Sequence, residues 1–248
     1  MKIRTLVLFL VVVLIVLLLT PVLLVCFLVR AQWPILAAGK GAVALARVIL
    51  GIRVTVIGRR PELRKTQYIY MANHQSFIDG PLLYWIIPGK PRVILKREIF
   101  RIPIVGLGMR HLNFIPVDRK GLRGGRRSLD RAAVYMARKH YSYLVFPEGT
   151  RTLDGRLQAF KRGGFFLALE GGVPIVPMTI QGTFALMPKG SFFIKKGAIR
   201  VTFHPPVRVD AYDEQRMPEL IDAVRQSIAS SLTEEERSLW TTNKKPKS

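Results

Sequence analysis

A histidine and an aspartate five positions apart form the first pair in this sequence that could take part in acid–base chemistry. His74 and Asp79 lie in the block Asn73-His74-Gln75-Ser76-Phe77-Ile78-Asp79, which follows an apolar run. Histidine is the side chain best suited to exchange a proton near neutral pH, and a carboxylate on its far ring nitrogen fixes its tautomer. Residues five apart lie about 140° apart around a regular helix, so the two side chains can meet only if a loop enters a helix here. Gly80-Pro81 favours such an entry.

The same spacing also allows a purely structural interpretation of this block. Asp79 would cap the helix that Pro81 opens, and His74 would bond to a loop carbonyl. Lone His/Asp pairs are common in proteins. Spacing alone therefore leaves both interpretations open.

A second candidate block, Phe146-Pro147-Glu148-Gly149-Thr150-Arg151, stands at the end of another apolar run. Ligands bind at strand ends in α/β sheets, and Gly149 allows the backbone to come close to a ligand. Arg151 offers a two-pronged guanidinium group that suits phosphate. The competing interpretation is a salt bridge between Glu148 and Arg151 that stabilises the turn, since exposed pairs of this kind are common.

Short apolar runs separated by Gly, Pro and basic residues predict the elements that position these blocks. The predicted strands are 52–57, 68–71, 92–95, 112–117, 143–146, 175–180 and 199–203. The predicted helices are 81–87, 126–140, 161–170 and 218–232, and the spacing of Thr233 and Glu236 predicts a capping box that opens a last short helix. This alternation favours an α/β fold with a mixed, largely buried sheet flanked by helices.

The N-terminal region predicts attachment to a membrane. Residues 6–29 contain no charged side chain and would form a helix of roughly 36 Å, slightly longer than a hydrocarbon core. Basic and aromatic residues suited to the membrane interface flank this run: Lys2, Arg4, Arg30 and Trp33. Pro21 leaves two alternatives, because the segment either spans the bilayer or kinks and enters one leaflet together with residues 35–50.

Composition divides the chain into a hydrophobic anchor over residues 1–50, a domain over 51–240 and a basic tail over 241–248. The single cysteine, Cys26, excludes an intrachain disulfide. The four histidines do not cluster with cysteine at metal-ligand spacing, so we expect no metal site.

The net charge of +23 predicts an anionic partner, which is a nucleic acid, an acidic membrane surface or a phosphorylated substrate. Between Lys90 and Arg131 there are twelve Lys and Arg against three Asp and Glu. Such a surplus beside a membrane anchor suits anionic lipid headgroups and predicts that the basic body stays on the cytoplasmic face of the cell membrane.

The two blocks together resemble those of the phospholipid-synthesis acyltransferases, most closely the 1-acyl-sn-glycerol-3-phosphate acyltransferase family. Residues 73–79 are similar to that family's His-x4-Asp block and residues 146–151 to its Phe-Pro-Glu-Gly block. Residues 112–119, which end in Arg119, and the proline-containing residues 173–177 resemble its other two blocks. All four occur in family order over about residues 50–210.

The resemblance implies the family's fold with an N-terminal membrane-binding helical segment, and a specific reaction. His74 would be the general base on the free sn-2 hydroxyl of lysophosphatidic acid, with Asp79 holding the imidazole. That hydroxyl would attack the thioester of acyl-CoA or an acyl carrier protein, which serves as a substrate, so no cofactor is implied. The implied acceptor-binding residues are Glu148, Gly149, Thr150, Arg151, Arg119 and Lys161. Pro177 would line an acyl channel or belong to the strand core.

Two alternatives remain at this stage. A sister acyltransferase would act on glycerol 3-phosphate, another lysophospholipid or a lyso-aminolipid. A membrane-tethered nucleic-acid-binding protein would explain the charge and the basic run 121–127, but it leaves residues 146–149 unexplained and lacks an aromatic-plus-basic RNA motif. We therefore expect lysophosphatidic acid, a thioester donor and anionic membrane lipids as partners, and no nucleic acid.

Overall fold

Seven strands pair into one sheet in the computed structural model, which describes residues 2–62, 66–117 and 122–237. The strands are β1 (Ile52–Ile57), β2 (Ile69–Ala72), β3 (Arg92–Lys96), β4 (Ile115–Val117), β5 (Tyr143–Val145), β6 (Ile175–Gln181) and β7 (Gly197–Phe203). The helices are α1 (Lys2–Leu28), α2 (Trp33–Leu50), α3 (Asp79–Ile86), α4 (Val105–His111), α5 (Leu122–Lys139), α6 (Gly163–Gly171), α7 (Thr183–Leu186) and α8 (Met217–Ala229). A 3-10 helix occupies Arg97–Arg101.

The strand order is β1-β7-β6-β2-β5-β3-β4. Strands β6, β2, β5, β3 and β4 are mutually parallel, β7 pairs antiparallel with β6, and β1 pairs parallel with β7. The prediction of a mixed, largely buried sheet flanked by helices is confirmed, and each of the seven predicted strands is present.

The sheet has a separate apolar core on each face, because successive side chains of a strand point to opposite sides. In the fully buried strand β2, Tyr70 and Ala72 pack towards a core that includes Leu36 of α2 and Leu83 of α3. Its other two side chains, Ile69 and Met71, pack against residues of α5, α6 and α8. Strand β2 is thereby held rigidly from both sides at the centre of the molecule.

The two N-terminal helices carry the apolar surface that the sequence predicted. Helix α2 is long and apolar enough to cross a membrane, whereas α1 meets that criterion only as a pair of segments, Ile3–Ile15 and Thr20–Leu28, bent by 44°. The bend lies just before Pro21, whose ring clashes with the carbonyl one turn earlier and removes a helical hydrogen bond. A bent pair of this kind is compatible with both alternatives, a broken span and a segment that enters one leaflet.

The predicted helices are present with boundaries shifted by a few residues, at α3, α5, α6 and α8. The 3-10 helix and the short helices α4 and α7 were not predicted. The capping box at residues 233–236 has the reciprocal bonds expected of it, but residues 234–236 form a single turn, and the rest of the proposed helix lies outside the described residues. Arg119 and the basic tail over 241–248 also lie outside them.

The glycine between β6 and α7 lies very close to the backbone of β7. Gly182 has φ +89°, and a Cβ there would lie 2.5 Å from the carbonyl oxygen of Ala198 in β7. We expect Gly182→Ala to lower the free energy of unfolding by about 2 kcal/mol or more, because it adds a backbone clash to a strained φ. Gly108→Ala in α4 is the control, since its Cβ would meet open space and alanine favours a helix. Thermal unfolding in detergent should show a lower Tm for Gly182→Ala alone; equal Tm values would contradict the prediction.

Candidate active site

The two chemical blocks lie side by side because β2, β5 and β6 are parallel neighbours whose carboxyl ends meet at one edge of the sheet. The chain leaves β2 at Asn73, whose side chain continues the pairing with β6. Its Nδ2 donates to the carbonyl oxygen of Ile180 at 2.9 Å, and its Oδ1 accepts from the amide of Ile180 at 2.8 Å. This two-way contact fixes the position from which the loop containing His74 begins.

His74 and Asp79 are in direct contact, as the loop-into-helix geometry requires. The His74 Nδ1 atom lies 2.9 Å from Asp79 Oδ2, and that oxygen also accepts hydrogen bonds of 2.7 Å from the backbone amides of Gln75 and Ser76. Asp79 is fully buried and is the first residue of α3. Three N–H groups therefore converge on one carboxylate oxygen, and the loop folds around it.

These contacts test the predicted capping geometry of the block. The N-cap of α3 is Ile78, with no side-chain cap bond, and Asp79 accepts from amides that precede the helix, so the capping interpretation is wrong. A carboxylate oxygen only accepts, so in the neutral imidazole Nδ1 of His74 is the nitrogen that carries the hydrogen and Nε2 is the one with the free lone pair. The arrangement has the geometry of an oriented general base.

The imidazole of His74 is held on its faces and along its backbone. Its ring stacks on Phe146 with a centroid separation of 4.0 Å and an interplanar angle of 18°. The carbonyl oxygen of His74 accepts from the amide of Thr152 at 2.9 Å. The side chain is 16% exposed, whereas Asp79 behind it has no exposure. A substrate can therefore reach the imidazole but not the carboxylate.

Glu148 turns its carboxylate towards the protein interior and braces the His74 backbone. Its Oε1 accepts from the amide of His74 at 2.7 Å, and its Oε2 accepts from the amide and side chain of Gln158 at 3.1 and 2.9 Å. The predicted alternative of a Glu148–Arg151 salt bridge is wrong, because these donors occupy the carboxylate. Burial raises the pKa of Glu148 to about 7, and the N–H donors act in the opposite direction.

The turn after Glu148 gathers positive charge from three separate segments. Gly149 has φ +71°, and the Lys161 side chain lies against it, about 3.0 Å from where a Cβ would stand. The Thr150 hydroxyl accepts from Lys189 Nζ at 3.4 Å, and the Arg151 guanidinium lies 6.0 Å from the ring centre of Phe77. Within the described residues no carboxylate forms an ion pair with Arg151, Lys161 or Lys189. Such a group of unneutralised cations suits an anionic ligand.

Sequence reasoning missed a second brace that is made by the end of the described chain. The Gln75 side chain is buried and donates to the carbonyl oxygen of Gly155 at 3.1 Å and to Glu236 Oε1 at 3.3 Å. Glu236 Oε2 also accepts from Gln181 Nε2 at 2.8 Å. Gln75 and Glu236 are 161 positions apart, so spacing gives no signal for this contact. Lys189 was likewise not predicted.

The remaining predicted residues divide between the sheet core and the part of the chain that is not described. Pro177 is buried within β6, where it pairs with Met71, so it belongs to the strand core. Arg119 lies outside the described residues and stays a prediction. Among the described residues, no three His, Cys, Asp or Glu side chains converge in a way that could hold a metal ion.

Comparison with known proteins shows consistent similarity. The model of the family described as Acyltransferase matches residues 53–181. A 1-acyl-sn-glycerol-3-phosphate acyltransferase of Limnanthes douglasii is 31% identical over 196 residues, 79% of this chain and 69% of the relative. One of Cocos nucifera is 32% identical over 191 residues, 77% of this chain and 61% of the relative. This chain thus spans between three fifths and seven tenths of the length of these curated relatives.

Structural similarity extends over most of the chain. The crystal structure of the 1-acyl-sn-glycerophosphate (LPA) acyltransferase PlsC from Thermotoga maritima superposes with a TM-score of 0.77 at 30% sequence identity. The match covers 92% of this chain and 95% of that chain. The fold of this chain is therefore shared with a solved protein over most of its length.

The burial of Glu148 predicts a specific pH dependence of stability. The pKa of Glu148 is raised from an ordinary 4.5 to about 7. Below pH 4.5 its carboxyl group is therefore protonated in both the folded and the unfolded protein. Between pH 4.5 and 7 it is protonated only in the folded protein. The free energy of unfolding should therefore fall across this window, by on the order of 3 kcal/mol. Glu148→Gln cannot titrate, so the stability of the native protein relative to this variant should decrease from pH 4.5 to pH 7.5. Thermal unfolding at a series of pH values measures this difference, and a constant difference would refute the assignment.

Proposed function

This chain belongs to the acyltransferase family, and on that premise we propose that it transfers a fatty acyl group from a thioester donor to the free sn-2 hydroxyl of lysophosphatidic acid, forming phosphatidic acid. One observation carries the proposal: an accessible imidazole, oriented by Asp79 at 2.9 Å, stands beside a turn with unneutralised positive charge. The relatives named above support the choice of acceptor.

The chemical step needs a base that returns its proton. His74 Nε2 removes the proton from the acceptor hydroxyl as its oxygen attacks the thioester carbonyl. The new C–O bond forms, the C–S bond of the tetrahedral intermediate breaks, and His74 gives the proton to the departing sulfur. Asp79 stabilises the imidazolium while it exists and keeps the ring in the useful orientation.

In this proposal the acyl group passes directly from donor to acceptor, with no acyl-enzyme intermediate. The hydroxyl nearest to the imidazole in sequence belongs to Ser76, which is fully buried and donates to the carbonyl oxygen of Met187 at 2.7 Å. Cys26 is buried in α1. Neither side chain is placed to act as a nucleophile, so the substrate hydroxyl takes that role.

Acceptor binding is assigned to the turn of Gly149, Thr150 and Arg151 with Lys161 beside it, and to Arg119. A phosphomonoester keeps its oxygens free for more than one partner, and a guanidinium group can bind two of them at once. We assign Glu148 an indirect part in acceptor binding, because its carboxylate accepts from the His74 backbone and from Gln158. Acyl-CoA and acyl carrier protein both bring phosphate or acidic groups to a basic surface, so either donor fits.

The apolar surface of α1 and α2 attaches the protein to the cell membrane, where both the acceptor and the product reside. Many apolar side chains of α1 are exposed, Phe9 and Leu18 among them at 62% and 67%. We place the catalytic domain on the cytoplasmic face, where acidic lipids attract its basic residues.

The direct test of the proposed reaction incubates the purified protein with a panel of lysolipids and glycerol 3-phosphate, each with acyl-CoA or acyl carrier protein, and identifies products by mass. Formation of phosphatidic acid supports the proposal, and exclusive acylation of another acceptor refutes it.

Removal of the imidazole or of its partner should abolish most turnover in a folded protein. We expect His74→Ala and Asp79→Asn each to lower kcat by about 10²–10⁴-fold, because the first removes the general base and the second its orienting charge. The matched control is His140→Ala, which removes an exposed histidine after α5. Steady-state kinetics in detergent micelles, with circular dichroism to confirm folding, measures the effect. Near-normal kcat in folded His74→Ala protein would remove His74 from the mechanism.

Truncation of the arginine in the turn should weaken acceptor use selectively. Arg151→Ala should lower kcat/KM for lysophosphatidic acid by about 10–100-fold, since a hydrogen bond to a charged group contributes about 1.5–3 kcal/mol. Arg151→Lys should restore part of this loss because it keeps the charge without the fork. Arg200→Ala, an exposed arginine in β7, is the control for the change in net charge. An unchanged preference between lysophosphatidic acid and a phosphate-free acceptor in Arg151→Ala would overturn the assignment.

A further inference from the structure

The segment between α7 and β7, residues 187–196, forms a closed loop at the edge of the site. The amide of Lys195 donates to the carbonyl oxygen of Leu186 at 3.0 Å, which brings the two ends of the loop together. Within it, the amide of Ser191 donates to the carbonyl oxygen of Pro188 at 3.0 Å. Loops whose ends are tied in this way hold a defined shape and often carry function.

This loop is joined at one end to the catalytic block and at the other to α1. The Ser76 hydroxyl donates to the carbonyl oxygen of Met187 at 2.7 Å. The amide of Ile194 lies 3.4 Å from Thr5 Oγ1 in α1. The 187–196 loop therefore bridges the loop that carries His74 and the helix that attaches the protein to the membrane.

The 187–196 loop has a basic side chain near the turn and aromatic side chains further along. Lys189 is directed at the turn, with its Nζ 3.4 Å from Thr150 Oγ1. Phe192 and Phe193 are 85% and 40% exposed. Exposed aromatic side chains beside an apolar helix suit the interface between headgroups and acyl chains. The loop thus places a cation beside the turn and two exposed aromatic rings near α1.

Three cations from separate segments lie around the turn of residues 149–151. Arg151 belongs to the turn itself, Lys161 precedes α6, and Lys189 comes from the 187–196 loop. None of the described carboxylates neutralises them, because Glu148 and Asp79 are occupied by N–H donors from the loops around His74. A doubly charged phosphomonoester would offset two of these three positive charges and could accept hydrogen bonds from the cations around it.

We propose that Lys189 is a further acceptor-binding residue, which contacts the phosphate of the lipid acceptor together with Arg151. This inference rests on the proposed function. It assigns to the 187–196 loop the role of binding the headgroup between the membrane interface and His74. The lysine supplies a mobile point charge, whereas Arg151 supplies a fixed fork, so Lys189 contributes chiefly to capture of the acceptor.

The test compares Lys189→Ala with Lys195→Ala, which removes the same charge from the same loop at an exposed position. Both are assayed in neutral detergent micelles with lysophosphatidic acid and with monoacylglycerol, which lacks phosphate. We expect Lys189→Ala to raise KM for lysophosphatidic acid about tenfold with kcat within twofold of wild type, and to change turnover of monoacylglycerol less than twofold relative to wild type. Lys189→Arg should restore KM to within threefold, and Lys195→Ala should have little effect.

The outcomes separate this inference from the proposed function. Equal KM values for wild type and Lys189→Ala, in a protein that acylates lysophosphatidic acid, overturn the role of Lys189 alone. Equal increases in KM for Lys189→Ala and Lys195→Ala also overturn it, because they report net charge. If the wild-type protein acylates only acceptors without phosphate, the proposed function fails and the inference fails with it.

Discussion

The site depends on one carboxylate oxygen, Asp79 Oδ2, which accepts from the imidazole of His74 and from the amides of Gln75 and Ser76. A buried carboxylate is costly unless N–H donors surround it. Here the donors belong to the loop that carries the imidazole, so satisfying the charge and orienting the base are the same event. Asp79 Oδ1 has no hydrogen-bond partner among the described residues, which makes the three donors on the other oxygen more important still.

Glu148 is a second buried carboxylate that is surrounded by N–H donors and supports His74. One of these donors is the amide of His74. The two acidic residues hold the histidine by its ring and its backbone, while the cations of the neighbouring turn stay free for a ligand. Both carboxylates are positioned by strands that end at the same edge of the sheet, and β2 is fixed by a core on each face. The buried sheet therefore fixes the loops whose N–H groups surround these two buried carboxylates.

Much of this could be predicted from local pattern. Alternating apolar runs predicted every strand, and the helical angle between positions 74 and 79 correctly required a loop for the pair to meet. The 3-10 helix and α4 were missed because 97–111 mixes short apolar runs with glycine and proline. The direction in which a side chain points could not be predicted from the sequence. Glu148 lies in a block that resembles a substrate-binding motif, yet its carboxylate faces the protein interior. Gln75–Glu236 and Thr150–Lys189 join distant positions, which a single sequence cannot connect.

The protonation state of His74 is the most direct test of the account. Nitrogen-15 NMR of histidine-labelled protein in micelles at pH 8 distinguishes a protonated ring nitrogen from one with a free lone pair, and the His74→Gln variant identifies the relevant signals. The structure predicts that Nδ1 of His74 carries the hydrogen and that Nε2 has the free lone pair, and that Asp79→Asn disturbs this preference. A neutral His74 protonated at Nε2 in the wild-type protein would contradict the account, because no lone pair would then face the substrate.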